Sequence, residues 1–436
     1  MLVALTIGLV AFANAAPALA AKRPKPTPKP AVVSLAAAPR SLPARGGSVV
    51  LTVRVRHATT CSFQGQRVAF AALGAPRTVP CGSGRASVTM PVAANPGRSL
   101  ATLHYVVRAH GTKGRSVTKG VSVTEAPRPP ALVAAQASPA PASVGAPYAL
   151  TLTASGGTGP YTWTVVSGTL PAGLALAPGG AISGTPTAPG LTSFTVQLAD
   201  SGSPRQVVTV PLSILVTAPL DTQLPLTDGD SANWSGYQVN GGPFTAAIGT
   251  FTIPNVSASP TPTSTAEWVG IGGAATGDNS IVQAGAEEDY DVSTGTAKLY
   301  TWWETYPAPS QPAPVTISAG DKVTVAVYQV SGATWELTIA NDTTGQSWSI
   351  QQQYTGPDES AEWIVEAPTD PTSNNVLTLG DYAPPVTFTG LGAVGNQTSL
   401  TGDIMQDTNG NTISIPSSLD GNGFTVAFGT SPPGAP

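Results

Sequence analysis

Glycine and proline recur so often along this chain, at 47 and 43 of its 436 positions, that long helices have no room to form. Proline removes a backbone donor and clashes with the preceding turn, costing a helix about 3 kcal/mol, and glycine costs about 1. Between these breakers lie short runs of alternating polarity, the pattern of half-buried strands. The chain therefore reads as all-β. At roughly 100 to 200 residues per domain, its length suggests about three folding units.

Charge is strongly segregated. Sixteen of the 20 lysines and arginines precede residue 126, and 22 of the 24 aspartates and glutamates follow residue 217. The acidic end holds only two cations, Lys298 and Lys322, and so stands near −20. All three histidines (His57, His104, His110) and both cysteines (Cys61, Cys81) lie within the first 125 residues. A catalytic unit at the acidic end thus has no Ser-His pair, no cysteine nucleophile and no histidine-held metal available. Its chemistry falls to carboxylates, amides, hydroxyls and aromatic rings, with no metal and no cofactor expected.

Residues 2–20, LVALTIGLVAFANAAPALA, form an apolar run ending in Ala18-Leu19-Ala20, a small-x-small cleavage pattern, so residues 1–20 read as a signal peptide and export is expected. The positive flank usual before such a run is missing, which leaves an N-terminal anchor as the competing reading. Residues 21–30 alternate proline with lysine and form an extended spacer. Residues 31–125 carry strand runs such as Ser48–Val55 and read as a small basic β-sandwich of the immunoglobulin-like kind. In an exported domain Cys61 and Cys81 are expected to pair, closing a loop worth about 3 kcal/mol. The basic excess invites an anionic partner, although a merely soluble surface explains it as well.

Residues 126–217 form a second β unit. The segment Gly156-Gly157-Thr158-Gly159-Pro160-Tyr161-Thr162-Trp163, followed by Leu170-Pro171-Ala172-Gly173-Leu174 and Ile182-Ser183-Gly184-Thr185-Pro186, resembles the immunoglobulin-like modules of bacterial surface and secreted proteins. That resemblance implies a spacer or adhesion module. Residues 218–227 read as a linker into the acidic unit, 228–436.

In this last unit the strand runs suit a two-sheet antiparallel sandwich of jelly-roll or concanavalin-like form. Period-two alternation puts Tyr300, Trp302, Glu304 and Tyr306 on one side of a strand, an aromatic surface with a carboxylate in it. Glu362 and Glu366 also share a face, but four residues separate them by about 13 Å, too far to share a proton. Any partner for Glu366 must come from another strand, and Gln283, a polar amide in an apolar run, is a candidate. The acidic string Glu287-Glu288-Asp289-Tyr290-Asp291 reads as a solvated loop, with calcium binding as the rarer alternative.

The order Asn233-Trp234-Ser235-Gly236-Tyr237, Glu267-Trp268-Val269-Gly270-Ile271-Gly272-Gly273, Ile281-Val282-Gln283-Ala284-Gly285, Trp302-Trp303-Glu304-Thr305-Tyr306-Pro307 and Ala361-Glu362-Trp363-Ile364-Val365-Glu366 resembles the glutamic peptidase (eqolisin) family. The resemblance implies an acid-active, pepstatin-insensitive endopeptidase acting on proteins or peptides. It places the catalytic glutamine on Gln283, the catalytic glutamate on Glu366, and supporting positions on Trp268, Trp302 and Glu304. Two departures stand out: Gly272 replaces a Gly-Asp-Gly-like position of fungal members, and Glu287 stands where they have aspartate.

Such groups define a mechanism. An ionised Glu366 accepts a proton from water and passes it to the leaving amine, while Gln283 donates to the oxyanion. Work as a base near pH 3 to 4 requires hydrogen bonds that hold the ionised form, with Gln283, Glu304 and indole N–H groups as candidate neighbours. No nucleic acid partner is expected. The basic front module is expected either to associate with the cell surface or to inhibit the acidic unit intramolecularly at neutral pH, as the basic prosegment of fungal members implies. The rival functions are a jelly-roll glycoside hydrolase using Glu304 with Glu366, and a non-catalytic carbohydrate-binding or adhesion protein.

Overall fold

The structure is a computed structural model and describes residues 25–67, 75–135, 139–274, 280–370, 373, 375–421 and 423–436. The expected signal peptide, residues 1–20, lies outside the described residues. Two compact units divide the chain, Met1–Ala131 and Leu132–Pro436. Among the described residues the only helical element is a 3-10 turn, Thr112–Gly114. The rest is strand and loop.

The first unit stacks a three-stranded sheet (Ala31–Ala38, Gly47–Arg56, Arg85–Val92) on a five-stranded one built around Thr60–Arg67, Ala101–His110 and Ser116–Glu125. Alternation sends Val49, Leu51 and Val53 inward to meet Phe63, Leu103 and Tyr105. Cys61 and Cys81 are both buried and joined in a disulfide, as the sequence led us to expect.

The second unit begins with an immunoglobulin-like part whose core gathers Trp163, Phe194, Val196, Leu198, Leu212 and Ile214. Its last strand, Val207–Pro219, pairs with Gly190–Ala199 along ten positions and then runs on. Ala218 and Pro219 pair with Ala393 and Gly392 of the following sandwich. The Gln397 side chain clamps this passage, accepting from Asp221 N at 3.0 Å and donating to Pro219 O at 3.2 Å. Leu226–Ser231 then adds a strand parallel to Gln397–Gln406. The stretch 218–227 is thus tied to the sandwich at both ends, because the apolar alternation that builds the 207–219 strand does not stop at the module boundary.

The sandwich has two sheets. One runs in the order Leu226–Ser231, Gln397–Gln406, Trp234–Gly241, Ser360–Glu366, Thr263–Gly272, Ile281–Asp291, Thr296–Tyr306 and Gln311–Ala313. The other runs Gly423–Phe428, Val386–Val394, Ala246–Thr252, Lys322–Ser331, Thr334–Asn341 and Gln346–Gln353. Thr412–Pro416 pairs with both, joining them at one margin. Between the sheets lie Val269, Ile271, Val282, Phe251, Val325, Trp335, Trp363, Phe388 and Phe424. The Trp363 indole donates across the core to Ile248 O at 2.8 Å. A Cβ on Gly249 would come within 2.5 Å of that indole, so the position admits only glycine.

Candidate active site

The first sheet buries its other face too, under a second, smaller cluster of Ala266, Trp268, Ile281, Trp302 and Ile364, with Trp234 and Tyr300 packed against it. Strand register arranges this outer face in three rungs. The first carries Trp234, Glu366, Ala266, Glu287 and Tyr300 across five strands. The second carries Gly236, Ile364, Trp268, Gly285 and Trp302, and the third Gln238, Glu362, Gly270, Gln283 and Glu304. All five expected site residues, Gln283, Glu366, Trp268, Trp302 and Glu304, therefore share one face. Trp303 points the other way and packs against the main core.

Gly285 lies at the centre of this face. A Cβ there would fall 2.2 Å from Glu267 O and 2.9 Å from Trp268 Cα, so the two strands approach closely only because the position has no side chain.

Glu366 is gripped from two sides. Asn233 Nδ2 donates to Oε1 at 3.0 Å, and Trp268 Nε1 donates to Oε2 at 2.7 Å. Trp234 packs edge-on against Trp268 with ring centroids 5.1 Å apart, fixing the indole that holds the carboxyl. Burial nevertheless dominates and pushes the Glu366 carboxyl up to about 8; the Trp268 and Trp234 donors oppose the rise, and the charges of Glu304 and Glu287 add to it. An indole donor of the kind expected to favour the ionised form is in place at Trp268, and burial opposes it.

Gln283 and Glu304 depart from expectation. They sit directly opposite on neighbouring strands and bond each other, Gln283 Nε2 donating to Glu304 Oε2 at 2.6 Å, rather than reaching the Glu366 carboxyl. Burial raises the Glu304 carboxyl, and the Gln283 donor offsets part of that. Gln283 Oε1 is buried without a partner, and so is Trp302 Nε1. One unpaired acceptor and one unpaired donor on the same face are what a peptide group, with its own C=O and N–H, satisfies.

The acidic string is not a loop. Residues 287–291 complete the strand Ile281–Asp291, and alternation splits the carboxylates between the two faces. Glu287 and Asp289 look outward, where Ser264 Oγ stands 2.9 and 2.8 Å from them and serves one at a time with its single proton. Tyr300 donates to Asp289 at 2.9 Å. Burial and the Asp289 charge push Glu287 up to about 7. Glu288 is fully buried on the core side. Among the described residues no group of three or more potential ligands is placed to hold a metal.

Sequence reasoning assigned no role to Asn233 or Ser264. Asn233 lies 133 positions before Glu366, and only the pairing of Trp234 with Glu366 across adjacent strands reveals their contact. Its place beside Trp234 in a run otherwise rich in strand formers was the available signal.

The Peptidase A4 family profile matches residues 232–428, and an Ig domain profile matches residues 129–217. Aspergillopepsin-2 of Aspergillus niger is 30% identical over 230 residues, covering 45% of this chain and 78% of that protein. Among solved structures, scytalido-glutamic peptidase bound to a transition state analog inhibitor is 22% identical with a TM-score of 0.40, covering 45% of this chain and 98% of that one. Aspergilloglutamic peptidase from Aspergillus niger is 28% identical with a TM-score of 0.33, covering 38% and 99%. The residues that the Peptidase A4 profile matches, 232–428, contain the three rungs described above. On the family match and the extent of the Aspergillus relative that it covers, the chain belongs to the Peptidase A4 family and is a glutamic endopeptidase.

Proposed function

We propose that this protein is an exported endopeptidase working in acid, insensitive to pepstatin, with Glu366 as the proton carrier and Gln283 as a hydrogen-bond donor to the bound substrate. The observation that carries the assignment is the Glu366 carboxyl, buried on the outer face of the sheet and held by N–H donors at both oxygens. Pepstatin insensitivity is carried over from the resemblance to glutamic peptidases.

The proton path is as follows. Ionised Glu366 takes a proton from water as its oxygen bonds to the peptide carbonyl carbon. Gln283 stands on the third rung, across Gly270 from Glu362 and about 13 Å along the strands from the level of Glu366, so the second N–H of its Nε2, not used by Glu304, serves the substrate beyond the carbonyl on which Glu366 acts. Glu366 then gives the proton to the amide nitrogen and the C–N bond breaks. The raised value of Glu366 suits the second half of this cycle, since the group keeps its proton until nitrogen takes it. For the first half, Glu304 and Glu287 matter. Both hold protons in acid, which removes their repulsion and leaves the Asn233 and Trp268 donors opposed by burial alone.

The test is hydrolysis of a denatured protein at about pH 3.5 with pepstatin present, comparing wild type with Glu366→Gln and Gln283→Ala. Both substitutions should abolish cleavage while the thermal melt is retained. Full activity in either variant would overturn the assignment of that residue.

A further inference from the structure

The first unit, Met1–Ala131, contains a single acidic side chain, Glu125, and that carboxyl is sealed inside against Arg67 at 2.5 Å. The exposed surface of its described residues carries cations with no carboxylate to offset them. These cations are not evenly spread. On the three-stranded sheet Val49, Leu51, Val53 and Val55 fill the core, so Thr52, Arg54 and Arg56 point outward; Ala86, Val88 and Met90 do the same for Arg85, Ser87 and Thr89. Register sets Arg54 directly opposite Arg85. Arg77 reaches over to donate to Thr89 O at 3.3 Å. Three guanidinium groups thus share this face, Arg85 beside Arg54 and then Arg56, and Arg77, carried by the edge strand Arg77–Pro80 of the five-stranded sheet, adds a fourth at the margin of Arg85–Val92, so that the cations span roughly 20 Å of strand.

Like charges directly opposite on paired strands repel, and most polar residues would be less costly at either position. We propose that this face binds a linear phosphodiester polymer of the cell envelope, of the poly(glycerol phosphate) type, and so holds the peptidase where that polymer is displayed. The chemistry selects this partner in four ways. All four cations are arginines, whose forked donors pair with two phosphate oxygens at once, where lysine acts as a point charge. The face is a flat sheet surface, on which a repeated charge gains contacts along its length as a single anion cannot. The hydroxyls of Thr52 and Ser87, 3.3 Å apart, lie on the same face and line the path with polar groups, Ser87 Oγ itself donating to Leu51 O at 3.2 Å. No aromatic side chain lies among these residues, so the bases of a nucleic acid would find nothing to stack on.

The exclusion of carboxylate polymers rests on the acid-active reading above. Carboxylates lose their charge near pH 4, whereas a phosphodiester keeps it.

Fluorescence anisotropy of the full chain with fluorescein-labelled poly(glycerol phosphate), at pH 7 and pH 4 and over a range of salt, tests the proposal. Wild type should bind at both pH values. R54S/R85S should weaken binding about tenfold or more and flatten the log K against log salt slope by about 1 to 2. R54K/R85K preserves the charge and separates loss of the fork from loss of fold; it should bind more weakly than wild type at an unchanged slope. Polyglutamate should compete at pH 7 and not at pH 4. The proposal is overturned if R54S/R85S binds within about twofold of wild type, if R98S/R108S, elsewhere on the same unit, costs as much, if oligothymidylate binds more tightly than the probe, or if the probe is released at pH 4. A preparation that binds the probe but cleaves no protein would count against Glu366 and Gln283 as catalytic residues and would leave this face assigned.

Discussion

Glu267 and Glu288 meet diagonally across the paired strands Thr263–Gly272 and Ile281–Asp291, both fully buried on the side of the sheet that looks into the core. No other described side chain donates to either carboxyl, and Lys298 and Lys322, the two cations of the sandwich, are exposed. Burial pushes Glu267 up to about 8 and Glu288 well above the usual carboxyl range, with the charge of Glu267 adding to the rise in Glu288. Two such groups persist in an apolar interior only while they carry protons.

Stability should therefore fall as pH rises. Each raised carboxyl binds more protons folded than unfolded between its ordinary value, about 4.5 for glutamate and 3.8 for aspartate, and its folded value, about 8 for Glu267 and Glu366 and about 7 for Glu287 and Asp403. The stabilisation is complete below the unfolded value and is lost as pH climbs through the folded one. Thermal melts of the 132–436 unit should give a higher Tm at pH 4 than at pH 8. A higher Tm at pH 8 would refute this account.

Replacing one member of the pair isolates its share. Glu267→Gln keeps the shape and cannot ionise, so it should change the melt little at pH 4 and raise Tm at pH 8, by about 2 to 4 °C for each kcal/mol recovered. A gain of equal size at both pH values would point to packing instead of ionisation.

Asn233 should matter as a positioning residue for Glu366. Asn233→Ala removes the donor to Oε1, leaves the Trp268 indole on Oε2, and destabilises the ionised form of the carboxyl. We expect kcat/KM to fall on the order of 10- to 100-fold, with the acid limb of the pH–rate profile moved upward and KM little changed. Asn233→Ala with an unmoved profile would mean that the contact is structural only.

Much of this site was legible in the sequence, and the limits have physical causes. Period-two alternation puts Tyr300, Trp302 and Glu304 on one face without any knowledge of neighbours, and family resemblance supplies Gln283, Trp268 and Glu366. Register is long-range and leaves no local trace, so the bond between Gln283 and Glu304, the grip of Asn233 and the diagonal meeting of Glu267 with Glu288 could not be read. Consecutive acids suggested a solvated loop at residues 287–291. The strand instead carries Glu288 into the core as a protonated acid, a state that a hydropathy reading based on ionised carboxylates does not anticipate.

The passage from the immunoglobulin-like part into the sandwich yields the last prediction. Residues 218 and 219 pair with 393 and 392 on the strand Val386–Val394, and Thr217, itself buried, sits against Gly392, where an added Cβ would fall 2.4 Å from its hydroxyl. Gly423–Phe428 covers the same strand only from 386 to 389. A fragment cut at Asp228 therefore strips the partner from the end of that strand and removes the Gln397 clamp on Pro219 and Asp221. Exposed strand edges invite pairing between copies. The fragment 228–436 should melt lower than 132–436 and self-associate as concentration rises, whereas residues 132–436 remain monodisperse in sedimentation. Equal melting and monodispersity in both would show that the immunoglobulin-like part is a dispensable neighbour and that the 218–219 pairing contributes nothing to the sandwich.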